Sequence, residues 1–185
     1  FTGCRLEEIG ALKKHDVKYE ENIRCIYIAK SKTDKKHKFG RRFVPIHPSY
    51  EPMVDMLIKE TEGDYLFNLT PDKYGHRTKS LSSLFQDHKQ KCGFPTKKVK
   101  KYKGRIETSS KDFHSFRTTL NTFFASIEIN ALKRSMLCGW KERNTSMAED
   151  DYLRMNKIYK MHERKGDILK ISQLYPWFNS SYFEN

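Results

Sequence analysis

The sequence predicts a mainly helical α+β fold, with a small three-stranded antiparallel sheet packed on a helical bundle. Two observations predict it. Short strand-like runs bounded by polar residues crowd between residues 17 and 46. After Pro48 the texture changes to longer stretches in which apolar residues recur at helical spacing. At 185 residues the chain fits one domain, and 37% hydrophobic residues with 12 Phe and 10 Tyr suffice for a core.

Leu6, Ile9 and Leu12 share one face and predict an amphipathic helix over 4–14, with Glu7 and Glu8 suited to its positive N-terminal dipole. Strands are expected at 17–20 and 24–29, the second rich in isoleucine. Residues 30–41 are polar and basic, hold Gly40, and read as a hairpin turn or loop. A third strand over 42–46 is closed by Pro45 and Pro48. Helices are expected over 51–61, 79–92, 111–127, 130–138 and 145–164. Between them, 61–78 and 93–110 read as irregular. Gly166 is expected to break the chain, before a short helix over 167–175 and a tail with Trp177, Phe178, Tyr182 and Phe183. The expected organisation is a main domain over 1–165 and a tail over 166–185. The helical pattern starts almost at once, uncapped and without an initiator Met, so the expectation is a piece of a longer protein with a further domain upstream.

Lys and Arg total 36 against 23 Asp and Glu, a formal charge of +13. Such a surplus favours a polyanionic partner, nucleic acid or an anionic membrane surface. No apolar run approaches the roughly 20 residues of a spanning helix, and no segment resembles a secretory signal. Cys4, Cys25, Cys92 and Cys138 form no C-x-x-C pair and have no histidines at zinc spacing, which predicts free thiols in a reducing compartment. No cluster of Asp, Glu and His stands at ligand spacing, so no metal or cofactor is expected.

Four separated segments carry residues suited to one chemistry. Thr2-Gly3-Cys4-Arg5 presents Arg5 and is followed by Glu8. The hairpin run Ala29-Lys30-Ser31-Lys32-Thr33-Asp34 presents Lys32. His114-Ser115-Phe116-Arg117 is an H-x-x-R box. Leu137-Cys138-Gly139-Trp140 is followed by Tyr152. Each alone is weak, since H-x-x-R arises by chance and an Arg on a helix is usually solvated. In this order they resemble the catalytic domain of the tyrosine recombinases, the phage-integrase family. The resemblance spans residues 2–152. The family's T-G-x-R-x-x-E matches Thr2, Gly3, Arg5 and Glu8. Its Lys-Thr followed by R-x-V-P matches Lys32-Thr33 and Arg42-Phe43-Val44-Pro45. Its H-x-x-R-T matches His114, Arg117 and Thr118.

The resemblance implies a site-specific recombinase or integrase that cuts and rejoins double-stranded DNA through a 3′-phosphotyrosyl link, without metal. It further implies a mobile genetic element as source, a homotetramer on paired sites, and a cytoplasmic, nucleoid-associated location. Arg5 and Arg117 would clamp the phosphate, since guanidiniums stay charged and fork onto its oxygens. Lys32 would be the general acid to the leaving 5′ oxygen. His114 would act as acid or base, because an unperturbed tyrosine is a poor nucleophile at neutral pH. Trp140 stands where the family usually has His and would donate an indole N–H. Tyr152 would be the nucleophile, and Glu8 would hold Arg5 and its neighbouring backbone.

Bland readings stand beside these. Glu8 also reads as an ordinary first-turn helix acid, His114 as a structural histidine, and Lys30, Lys35 and Lys36 compete with Lys32. The interval from Trp140 to Tyr152 exceeds the family's usual spacing by a polar insert over 141–148, which leaves Tyr159 as a rival nucleophile. Lys97, Lys98, Lys100, Lys101, Lys103 and Arg105 read either as a solvated loop or as phosphate contacts that grip the duplex without reading bases. The last helix closes on its own core or docks on a neighbouring protomer. Two other functions share these features: a type IB topoisomerase, which relaxes DNA as a monomer, and a DNA-binding module that has lost catalysis.

Overall fold

The computed structural model describes residues 2–29, 41–94, 101–102, 105–106, 112–139 and 159–174, with the backbone alone for 101–102, 105–106 and 174. Alternation builds its sheet. Strands β1 (Val17–Glu20), β2 (Ile23–Ile28) and β3 (Arg42–Pro45) pair antiparallel in the order β1-β2-β3. Glu21 and Asn22 join β1 to β2 with φ of 49° and 62°, the positive values a two-residue hairpin turn needs to match strand twist. Val17 pairs with Ile26, Ile26 with Val44, and Ile28 with Arg42. Paired residues point to the same face, so Ile26, Ile28, Val44 and Arg42 face the interior together, and all four are buried. The opposite face carries Tyr27 stacked on Phe43 at 4.8 Å, with the Lys18 ammonium 4.4 Å from the Tyr27 ring.

Helix α1 runs only over Leu6–Gly10, shorter than the expected 4–14. The cause is tertiary. Leu66 N–H donates to the Leu12 carbonyl at 2.9 Å and Lys14 N–H to the Asp64 carbonyl at 2.8 Å, drawing 12–14 into a ladder with 64–66. Leu12 is still buried, so its place in the apolar pattern reports burial rather than helix.

The following helices are α2 (Glu51–Glu60), α3 (Thr78–Lys91), α4 (His114–Ser126), α5 (Ala131–Cys138), α6 (Met161–Leu169) and α7 (Ile171–Leu174). The expected continuous helix over 145–164 does not hold at its described end. Lys160 is extended, with φ −66° and ψ 159°, and α6 starts after it. Gly166 does not break the chain, because it sits on the exposed side of α6 while Met161, Arg164, Asp167 and Ile168 form that helix's buried stripe. Asp167 therefore belongs to α6, and the short helix expected over 167–175 is confined to α7 among the described residues. The start of α6 is capped from the hairpin, where the Glu21 carboxylate accepts from Met161 N–H at 3.0 Å. Within the stretch expected to be irregular, β4 (Lys101–Tyr102) pairs with β5 (Arg105–Ile106). Ile26, Ile28 and Val44 from the sheet form one core with Leu120 and Phe124 of α4, Leu137 of α5 and Ile168 of α6. Among the described residues no helix is long and apolar enough to cross a membrane. All four cysteines are free thiols.

Candidate active site

The T-G-C-R segment is shaped by its glycine. Gly3 has φ +61°, and a Cβ there would lie 2.8 Å from Cys138 Sγ and 3.2 Å from Leu120 Cδ2. Only glycine allows the backbone this close to α4 and α5 while turning left-handed. The approach places Gly3 where its carbonyl accepts from Arg117 Nη1 at 2.5 Å. Two residues on, Arg5 stands at the N-cap of α1.

Glu8 holds Arg5 twice. Its carboxylate accepts from Arg5 backbone N–H at 2.8 Å and from Arg5 Nη1 at 2.9 Å. The first bond is the reaching-back half of a capping box. Arg5 Nη2 donates to the Gly139 carbonyl at 3.2 Å, beyond the C-terminus of α5. Gly139 is left-handed, with φ +65°, the usual way a helix stops.

Arg117 lies on the inward stripe of α4 with Leu120 and Phe124 and is 2% exposed. Burial, then the nearby charges of Arg5 and Arg42, push its guanidinium down to about 10, so it stays protonated at neutral pH. His114, one turn earlier at the first residue of α4, is exposed.

Arg42 is the member that sequence reasoning left out of the site. Its side chain is fully buried. Nη2 donates to Glu8 Oε2 at 2.8 Å and to the Cys138 carbonyl at 3.2 Å, and Nε donates to the Leu137 carbonyl at 3.1 Å. It thus ties the α1 carboxylate to the last carbonyls of α5, whose negative helix end favours a cation. Glu8 is pushed up by burial, but its bonds and charges with Arg42 and Arg5 outweigh that and bring it to about 2. The signal for Arg42 was present: in R-F-V-P it shares strand parity with the core residue Val44, and an inward arginine needs a carboxylate partner.

The structure therefore brings Arg5, Glu8 and Arg117 together, adds Arg42, and sets His114 one turn from Arg117. Lys32, Trp140 and Tyr152 lie outside the described residues, as do Lys97, Lys98, Lys100 and Lys103. Lys101 and Arg105 fall on β4 and β5. Tyr159, the rival nucleophile, is fully buried, and its hydroxyl donates to Asp167 Oδ2 at 2.7 Å. Burial and that carboxylate push its phenol far above the ordinary tyrosine range, so it is neither accessible nor ionisable enough to attack a phosphate. A nearby cavity of about 400 Å³ is lined by Glu8, Leu12, Tyr65 and Arg77, but not by Arg5 or Arg117. Among the described residues, the Glu8 carboxylate ion-pairs with both Arg5 and Arg42. Compared with protein-family models, curated proteins and solved structures, the chain matches none.

Proposed function

We propose that this chain is the catalytic domain of a tyrosine recombinase, a site-specific DNA integrase acting on double-stranded DNA as a homotetramer on paired sites. The observation that carries the reading is the meeting of Arg5 and Arg117. They come from segments far apart in the sequence, and Arg117 donates to the Gly3 carbonyl, two residues before Arg5, while Arg5 donates to the Gly139 carbonyl. Guanidiniums held there in a partly desolvated setting suit the charge that gathers on a phosphate under attack.

In this reading the Tyr152 phenol oxygen attacks the scissile phosphorus and its proton passes to His114. The bond to the 5′ oxygen breaks, and Lys32 protonates that oxygen as it leaves. A 3′-phosphotyrosyl ester and a free 5′ hydroxyl result, with the ester energy conserved. Rejoining is the reverse attack by a 5′ hydroxyl, so no nucleotide cofactor is consumed. Arg5, with its side chain 25% exposed, meets the phosphate first, and Arg117 supports it from the interior. Trp140 donates its indole N–H to a phosphate oxygen.

A duplex nicked just beyond the cleavage site tests this, because the short 5′ fragment diffuses away and traps the ester. Wild-type protein is expected to form a denaturant-resistant protein–DNA adduct that Tyr152→Phe cannot form. DNA binding without an adduct would leave a binding module and overturn the reading.

A further inference from the structure

We propose that Arg42 is a positioning residue for Arg5, acting through Glu8 and the C-terminus of α5, an inference that rests on the reading above. The Arg42 side chain is fully buried. It bridges two things that Arg5 also holds. One is the Glu8 carboxylate, whose Oε2 accepts from Arg42 Nη2 and from Arg5 N–H, each at 2.8 Å. The other is the end of α5, where Arg42 takes the Leu137 and Cys138 carbonyls and Arg5 takes Gly139. Three consecutive carbonyls at one helix end are thus divided between the two guanidiniums.

The geometry is close-fitting. A Cβ on Gly139 would lie 2.5 Å from Arg42 Nη1, so the left-handed glycine is also the space that admits Arg42. Arg42 opens β3, ten residues after Lys32 in the sequence, and Gly139 immediately precedes Trp140. One side chain therefore couples the strand after the general acid, the helix that presents Arg5, and the peptide leading to the indole. Lysine cannot reproduce this, because a single ammonium cannot span a carboxylate and two carbonyls along a planar fork.

The first readout is the 15Nε–1Hε NMR resonance of Arg5, which is independent of activity. In wild type it is expected away from the position of a free, solvated guanidinium. In Arg42→Lys it moves to that position, while core methyl resonances stay in place. An Arg5 resonance unchanged by Arg42→Lys overturns the proposal. If Arg42→Lys does not melt cooperatively, Arg42→Gln carries the same test, because it too leaves the direct bonds of Glu8 to Arg5 in place.

The second readout is the rate of adduct formation on nicked DNA. Arg42→Lys is expected to slow it roughly 10- to 100-fold, as loss of an orienting partner does, with the DNA Kd changed less than about threefold. The Arg5→Ala/Arg42→Lys double variant is expected to be no slower than Arg5→Ala alone, since both act on one step. Multiplicative losses overturn the positioning role. Absence of any adduct with wild-type protein overturns the recombinase reading instead, and the Arg5 resonance then decides the positioning role by itself.

Discussion

Glu8 is a buried carboxylate that the fold keeps ionised. Its pKa falls from 4.5 to about 2 because Arg42 and Arg5 bond its charged form. A carboxyl group with a lowered folded pKa contributes stability above its unfolded value, and that contribution drains away as pH drops from about 4.5 to about 2. At about 1.4 kcal/mol per unit the contribution is on the order of a few kcal/mol. Glu8→Gln is therefore expected to be less stable than wild type by that order at pH 7, with the gap closing toward pH 2. Urea denaturation across this range checks it, and a gap constant with pH would contradict the ion-pair account. At this scale Arg5, Glu8 and Arg117 were legible because each stands in a spaced motif. Arg42 was not assigned a role, although its motif was visible, because its contact with Glu8 joins positions 34 residues apart. Reading it required strand parity followed to its consequence.

The junction of the T-G-C-R turn with α4 and α5 depends on one close approach. Gly3 and Gly63 both have positive φ, +61° and +72°, but a Cβ at Gly3 meets Cys138 and Leu120 whereas one at Gly63 meets open space. Gly63→Ala is expected to cost about 1–2 kcal/mol for the left-handed backbone alone. Gly3→Ala should add about 1–3 kcal/mol of overpacking and disturb the carbonyl that holds Arg117. Denaturation of the two variants compares them directly, and equal losses would remove the close approach from the account. Among the elements, β1 and β2 were legible as short strand-like runs, the second rich in isoleucine and bounded by polar residues, and α2, α3 and α5 from the helical texture after Pro48, to within a residue or two. The expected helix over 4–14 was too long because the ladder with 64–66 competes for 12–14, a pairing that nothing near residue 12 announces. Gly166 misled because a glycine on an exposed helix face costs only about 1 kcal/mol, which the buried stripe of α6 offsets.

For the whole molecule, with its formal charge of +13, the proposed DNA binding is expected to weaken with salt according to the number of phosphates contacted. Each phosphate neutralised adds about 0.9 to the slope of log K against log salt. Replacing Lys97, Lys98, Lys100 and Lys101 with Ala is expected to lower that slope and to weaken binding evenly across sequences. An unchanged slope would return these lysines to the solvated surface. The α+β class was legible at this scale because the three paired strands fall between residues 17 and 45 and most of the helices follow them. The approach of Arg5 and Arg117 was expected only from the family resemblance, and the Gly3 and Gly139 carbonyls that bond them came from the packing of α1, α4 and α5.

The burial of Tyr159 leaves the account with a single nucleophile, and peptide mapping addresses it. The adduct trapped on nicked DNA is digested with protease and the nucleotide-bearing peptide is sequenced by mass spectrometry. A nucleotide esterified through its 3′ phosphate to the phenol oxygen of Tyr152 is expected. A modification on any other side chain would contradict it.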